Sequence, residues 1–210
     1  MYDNIIKDQE KRGFIERVQE GEDKNERAHY IPHHPVKKDS PTTPIRIVFD
    51  CSCKEKHGSA SLNDCLETNA PQLNDLPILL TKFRKNNYAV TTDIEKAFLQ
   101  IGLEEEDRDY TIFFWLRDYT DPDSEIITYR FKVVLFGATC SPFILNATLL
   151  KLFTDNSNRT SLELERSLYV DNVLTSFNDE ISLLRFYTEA RHLLQKGGLI
   201  CAHEIQTAVN

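Results

Sequence analysis

YAVTTD at residues 88–93 and SLYVD at residues 167–171 are two short runs of strand-forming residues, each ending on an aspartate. Aromatic and β-branched side chains suit a pleated, half-buried surface. The second run continues through Asn172 into Val173-Leu174-Thr175-Ser176, so Asp171-Asn172 reads as the tip of a hairpin. Neighbouring strands lie about 4.8 Å apart, and two-metal sites hold their ions about 3.5–4 Å apart. Strand ends that meet in one sheet would therefore bring Asp93 and Asp171 within reach of a shared pair of divalent cations. Spacing and composition alone favour two ordinary turn aspartates.

Outward from these aspartates the pattern alternates between the helical and the extended period. Ile94 to Gln100 and Leu76 to Phe83 read as helical. Tyr110 to Leu116 and Ile126 to Val134 read as strands linked by the turn-forming DYTDPDSE segment. Ser141-Pro142 opens a helix through FILNATLLKLF, and Ile181 to Gln195 is an amphipathic helix closed by Gly197-Gly198. Nearer the start, Ile45 to Asp50 has strand composition. His29 to Val36 is extended, because Pro32 and Pro35 restrict the residues before them. Residues 51–76 are irregular. The first thirty residues predict a helix with Ile5, Ile6, Phe14, Ile15 and Val18 along one stripe. The order strand–helix, strand pair, helix, hairpin, helix predicts an α+β fold, an antiparallel sheet with helices on one face.

The 210 residues suffice for one large domain or two lobes, and 40% hydrophobic against 28% charged residues excludes wholesale disorder. No run of about 18 apolar residues occurs, so neither a membrane span nor a membrane partner is expected. The opening MYDNIIKDQEKRGF lacks the apolar run of a secretory signal. The five cysteines have no framework spacing, which predicts free thiols in a reducing compartment, cytoplasm or nucleus, and no secretion. The net charge of -8 argues at first sight against nucleic acid. The excess is local, however: residues 61–128 hold 6 basic and 14 acidic side chains, while the two flanks balance. A nucleic-acid site needs local positive potential rather than a basic total.

Four strings occur in order at sensible spacings: Arg46-Ile-Val-Phe-Asp50, TTDIEKAFLQI at 91–101, FKVVLFGATCSPFILNATL at 131–149 and YVDN at 169–172. Together they resemble the reverse transcriptase domain of retrotransposons, most closely the BEL/Pao type of long-terminal-repeat element. FDCSCKEKHGSASLND is similar to the family's segment between its first basic strand and its palm. The resemblance covers about residues 29–210, with residues 1–28 as an N-terminal helical extension. It implies right-hand polymerase fingers and palm, with the chain stopping ahead of a thumb. The implied activity is RNA-directed DNA polymerase, a nucleotidyltransferase using Mg²⁺, with Mn²⁺ as the alternative. The implied partners are a primed RNA or DNA template, dNTP and the remaining segments of a retroelement polyprotein.

The resemblance transfers residue by residue. Asp93 and Asp171 correspond to metal-binding carboxylates, and Tyr169 to the residue that supports the hairpin near the primer end. Phe98 corresponds to the aromatic gate beneath the incoming sugar, where a full ring excludes a ribose 2′-hydroxyl. A core aromatic satisfies the same pattern. Arg46 corresponds to the fingers arginine, whose planar fork suits triphosphate oxygens. Lys37 or Lys38 corresponds to its partner lysine, with a solvated loop charge as the other reading. Phe136 stands where some retroviral relatives carry glutamine, and Gly137 opens the turn into the helix beneath template and nucleotide.

Asn172 departs from the family, which has a second adjacent aspartate there. An amide oxygen can ligate a cation but is neutral, so weak activity or none is expected. The alternative is a catalytically silent nucleic-acid-binding or structural remnant. Cys51, Cys53, His57 and Cys65 are set aside as a zinc site, since one intervening residue points the first two side chains apart on a strand. His29, His33 and His34 are read as surface or packing groups, and Glu104 to Asp107 as a solvated turn.

Overall fold

The computed structural model describes residues 1–19, 28–37, 44–201 and, for the backbone, 206–209. Lys38 lies outside the described residues. In chain order the elements are α1 (Tyr2–Lys11), β1 (Ile15–Arg17), β2 (His33–Lys37), β3 (Ile45–Phe49), α2 (Leu62–Cys65), α3 (Leu76–Phe83), β4 (Tyr88–Asp93), β5 (Ile112–Leu116), β6 (Ile126–Phe131), α4 (Ser141–Asp155), α5 (Arg159–Ser167), β7 (Leu168–Tyr169), β8 (Asn172–Phe177), α6 (Glu180–Lys196) and β9 (Gln206–Val209). Turns of 3₁₀ helix cover Ala97–Gln100 and Glu105–Thr111. This is an α+β fold. By internal contacts the chain divides into two compact units, Met1–Thr68 with Ile101–Ser141, and Asn69–Gln100 with Pro142–Asn210.

The first unit holds an antiparallel sheet in the order β1-β6-β5 and a ribbon of β2 with β3. Its core is aromatic: Phe49 meets Phe113 and Phe131 edge-on at 4.9 and 4.8 Å between ring centroids, a favoured quadrupole geometry. Tyr2 of α1 stacks on Trp115 at 4.6 Å, and the buried Asp3 carboxylate accepts from the Trp115 indole at 3.1 Å. The helix expected through Val18 stops at Lys11. Gly13 takes a positive φ of 74° just past the helix end, and Ile15 enters β1 opposite Phe131. Pairing with β6 supplies the backbone partners that a longer helix would have given. His33 packs among Tyr2, Phe49 and Phe113, and its Nε2 lies 2.8 Å from the Phe114 carbonyl. Burial pushes its pKa down.

The second unit holds a four-stranded antiparallel sheet in the order β7-β8-β4-β9. Helices α3, α5 and α6 pack on β8. Leu145, Leu149, Leu164 and Leu194 are fully buried in this unit, where closing apolar surface off from water is the main stabilising effect. Helix α5 went unread in the sequence. It is short and polar, and it starts at a capping box in which Asn158 and Ser161 exchange side-chain and backbone hydrogen bonds. The helical reading of Ile94 to Gln100 shrinks to the 3₁₀ turn, because Lys96 takes a positive φ of 49° before it.

Candidate active site

Antiparallel register sets the candidate acidic site. β4 and β8 pair along six residues, from Tyr88 opposite Phe177 to Asp93 opposite Asn172. Tyr169 of β7 pairs with Asn172 of β8, leaving Val170 and Asp171 as the two-residue turn between them. The Ile94 amide donates to the Asp171 carbonyl at 2.8 Å, which ties the hairpin tip to the end of β4. Asp93, Asp171 and Asn172 are thereby gathered at one sheet end, as the strand reading expected. Val170 holds φ at 58°, an unfavourable conformation for a β-branched residue.

The electrostatics of the pair follow from its setting. Asp93 is exposed and Asp171 half-buried. Burial raises the Asp171 pKa, its own backbone amide opposes the rise, and the nearby Asp93 charge adds to it. The Asn172 side-chain amide donates to Asp171 Oδ1 at 2.9 Å. The neighbouring Cys201 thiol is also raised, chiefly by burial, with Asp93 contributing in the same sense.

The other candidate residues occupy varied settings. Arg46 is exposed on β3, with its guanidinium carbon 5.4 Å from the Phe136 ring centroid, a cation–π contact. Register pairs Arg46 with Val36 and Lys37 with Ile45. Side chains alternate along a strand, so Lys37 and Arg46 lie on opposite faces of the ribbon and are not brought together there. The Phe98 ring is only 4% exposed, in the 3₁₀ turn after Lys96. Tyr169 is half-buried, and Phe136 is 48% exposed.

Gly137 has φ at 109°, and a Cβ there would stand 2.8 Å from the Phe49 carbonyl oxygen. A residue outside the sequence-predicted set fixes this turn. Asn63 Nδ2 donates to the Gly137 carbonyl at 2.9 Å and to Ser52 Oγ at 3.0 Å. Its Oδ1 accepts from the Thr139 amide at 2.9 Å. The available signal was the SLND string at 61–64, which forms a capping box around α2 and presents Asn63.

The profile of the reverse transcriptase (RNA-dependent DNA polymerase) family matches residues 36–204. The chain belongs to the reverse transcriptase family. No curated protein matches it. Among solved structures, it is similar to foamy viral protease-reverse transcriptase in complex with double-stranded DNA, with a TM-score of 0.71 at 18% identity. That match covers 99% of this chain and 31% of the other. The same viral protein in complex with an RNA/DNA hybrid gives 0.69 at 18% identity, covering 99% and 24%. A mutant of the prototype foamy virus protein gives 0.64 at 21% identity, covering 95% and 22%. The likeness is one of fold. The chain spans about a fifth to a third of the length of the proteins it matches.

In this reverse transcriptase chain the sheet end carries two carboxylates, Asp93 and Asp171, with the neutral Asn172 beside them. Among the described residues, no group of three or more His, Cys, Asp or Glu side chains gathers to hold a metal. The Asp93–Asp171 pair nevertheless fits such an ion. Both supply hard carboxylate oxygens at one sheet end, and a bound cation would offset the Asp171 charge that burial, and then the nearby Asp93, disfavour. Among the described residues, no helix is long and apolar enough to cross a membrane.

Proposed function

We propose that this chain is the fingers and palm of an RNA-directed DNA polymerase from a retroelement polyprotein of the BEL/Pao type, with its chemistry weakened at Asn172. The observation that carries this reading is the convergence of Asp93 and Asp171 at one sheet end in a chain of the reverse transcriptase family. Asp93 and Asp171 would hold Mg²⁺ or Mn²⁺. When bound, the ions lower the pKa of a primer 3′-hydroxyl and neutralise triphosphate charge. The 3′-oxygen forms a bond to the α-phosphorus of dNTP, pyrophosphate leaves, and the hydroxyl proton passes to solvent. Tyr169 steadies the hairpin beside the primer end, and Gly137 keeps the turn after Phe136 tight. Arg46 receives triphosphate oxygens through its planar fork, with Lys37 or Lys38 adding charge. Phe98 discriminates against a 2′-hydroxyl. A primed RNA or DNA template is the partner.

A second reading is a silent nucleic-acid-binding remnant. The Asn172 amide favours it, because it occupies Asp171 Oδ1 with a hydrogen bond where a cation would otherwise coordinate. The deciding experiment is single-nucleotide extension of a labelled primer on an RNA template with Mg²⁺, comparing the natural chain with Asn172→Asp. Asparagine and aspartate have nearly equal volume, and both suit a turn, so the exchange changes mainly charge. A gain of about 100-fold supports the polymerase reading. A silent Asn172→Asp protein that still binds primed template supports the remnant.

A further inference from the structure

At the end of the β4–β8 pair opposite the two aspartates, the second unit carries a cleft of about 400 Å³. It adjoins a second hollow of about 230 Å³ that shares Arg159, Glu163, Phe177 and Ser182 with it. The register runs five residues from Asp93 to Tyr88, so this end lies about 17 Å along the strand from the acidic pair. Its lining sets four cations against the two carboxylates of Glu163 and Asp179. Lys82 and Lys85 come from the end of α3 and the loop after it, and Arg159 and Arg166 from the two ends of α5. All four side chains are exposed. Among the described residues, none of the four takes part in an ion pair.

The two carboxylates in the lining are already engaged. Glu163 Oε1 accepts from Thr175 Oγ1 at 2.8 Å and from Ser167 Oγ at 3.1 Å. Asp179 caps α6, accepting from the Ser182 amide and hydroxyl at 2.8 Å each. Lys82 and Arg166 stand in last helical turns, where a cation also suits the helix dipole. Arg159 does not: it is the first residue of α5, where the same dipole opposes positive charge. The Phe177 ring, half-buried and tilted against Phe186 at 5.1 Å, forms an aromatic wall among these cations. Unpaired cations with guanidinium forks beside an aromatic face match phosphodiester and base together. A carboxylate peptide would leave the ring unused.

We propose that this basic cleft binds a single strand of nucleic acid, phosphates against Lys82, Lys85, Arg159 and Arg166 and a base against Phe177, as a second contact separate from the acidic pair. The inference stands without the polymerase reading, since it uses none of the residues assigned to that chemistry. The test is fluorescence anisotropy of a labelled short oligothymidylate against the full chain, over a salt series. The combined variant Lys82→Gln, Lys85→Gln, Arg159→Gln, Arg166→Gln should bind about 10-fold or more weakly, and its salt slope should flatten by about 2 to 3. These side chains are exposed, and circular dichroism and Tm would verify folding. Phe177→Leu should weaken binding several-fold at unchanged slope. Asp93→Asn should retain the cleft's share of the affinity, which separates this site from the proposed active site. Undiminished affinity and slope in the four-residue variant would overturn the proposal. Displacement of the strand by polyglutamate as effective as by unlabelled oligonucleotide would also overturn it, pointing to an acidic protein. Displacement by inorganic tripolyphosphate as effective as by unlabelled strand, with Phe177→Leu silent, would reduce the site to one for free phosphate and overturn the strand assignment.

Discussion

Val170 and Gly137 both hold positive φ beside residues with a proposed nucleotide role, yet their turns are built in opposite ways. At Gly137 a side chain is excluded twice over, by φ at 109° and by the Phe49 carbonyl 2.8 Å from where a Cβ would stand. At Val170 a β-branched side chain is forced to φ 58°, a strain of about 1–3 kcal/mol. The Tyr169–Asn172 pairing and the bond from the Ile94 amide to the Asp171 carbonyl hold that strained tip in place. The 137 turn therefore reads as a packing requirement met without strain. The acidic hairpin instead carries strain next to the Asp171 carboxylate.

The largest effect should lie at the acidic end. In an Asn172→Asp background, Asp93→Asn should cut single-nucleotide incorporation by about 1000-fold, or ~4 kcal/mol of barrier, with Tm little changed. Retained incorporation would remove the acidic pair from the chemistry. Gly137→Ala should come next, destabilising the chain by about 2–4 kcal/mol, since backbone rather than a movable side chain blocks the new methyl. Chemical denaturation followed by circular dichroism measures this, and a loss below ~1 kcal/mol would mean that the turn adapts.

Smaller effects should appear at the hairpin tip. Val170→Asn should stabilise the chain by about 1 kcal/mol, because asparagine tolerates left-handed backbone. A lowered Tm would mean that the valine's packing outweighs its strain. The smallest effect concerns pH. The Asp171 pKa is raised by burial and then by Asp93, so the folded state holds this proton more tightly than the unfolded chain does. Its stabilising contribution is full below the unfolded pKa and is lost as pH rises through the folded value. Asp171→Asn should therefore raise Tm slightly at neutral pH and leave it unchanged in acid. Millimolar Mg²⁺ should narrow the neutral-pH gap, by binding the natural pair.

The elements closest to the aspartates were the most legible. YAVTTD and the runs around Asp171-Asn172 carry their structure in local composition, and the register pairs Asp93 with Asn172 as strands of that kind allow. Helix α5 was not legible, because its residues are mostly polar and its amphipathic face has meaning only once α6 and β8 cover it. The extended stripe from Phe14 to Val18 was misread for a related reason. Ile15 fits a helical period, and Gly13 with the β6 edge drew it into a strand. The resemblance groups Lys37 or Lys38 with Arg46, and for Lys37 the β2–β3 register decides that the two face opposite ways.

By itself, then, the sequence determined the α+β order of elements, the hairpin that carries Asp171, and the neutral Asn172 beside it. These follow from propensity, periodicity and residue charge, which act over a few neighbours. Only the tertiary structure decided the clamp of Asn63 on the Gly137 turn, the approach of the Phe49 carbonyl that forbids a side chain there, and the convergence of Lys82, Lys85, Arg159 and Arg166 on one cleft. Each joins residues far apart in the chain, so it depends on which surfaces pack together rather than on the preference of any single segment.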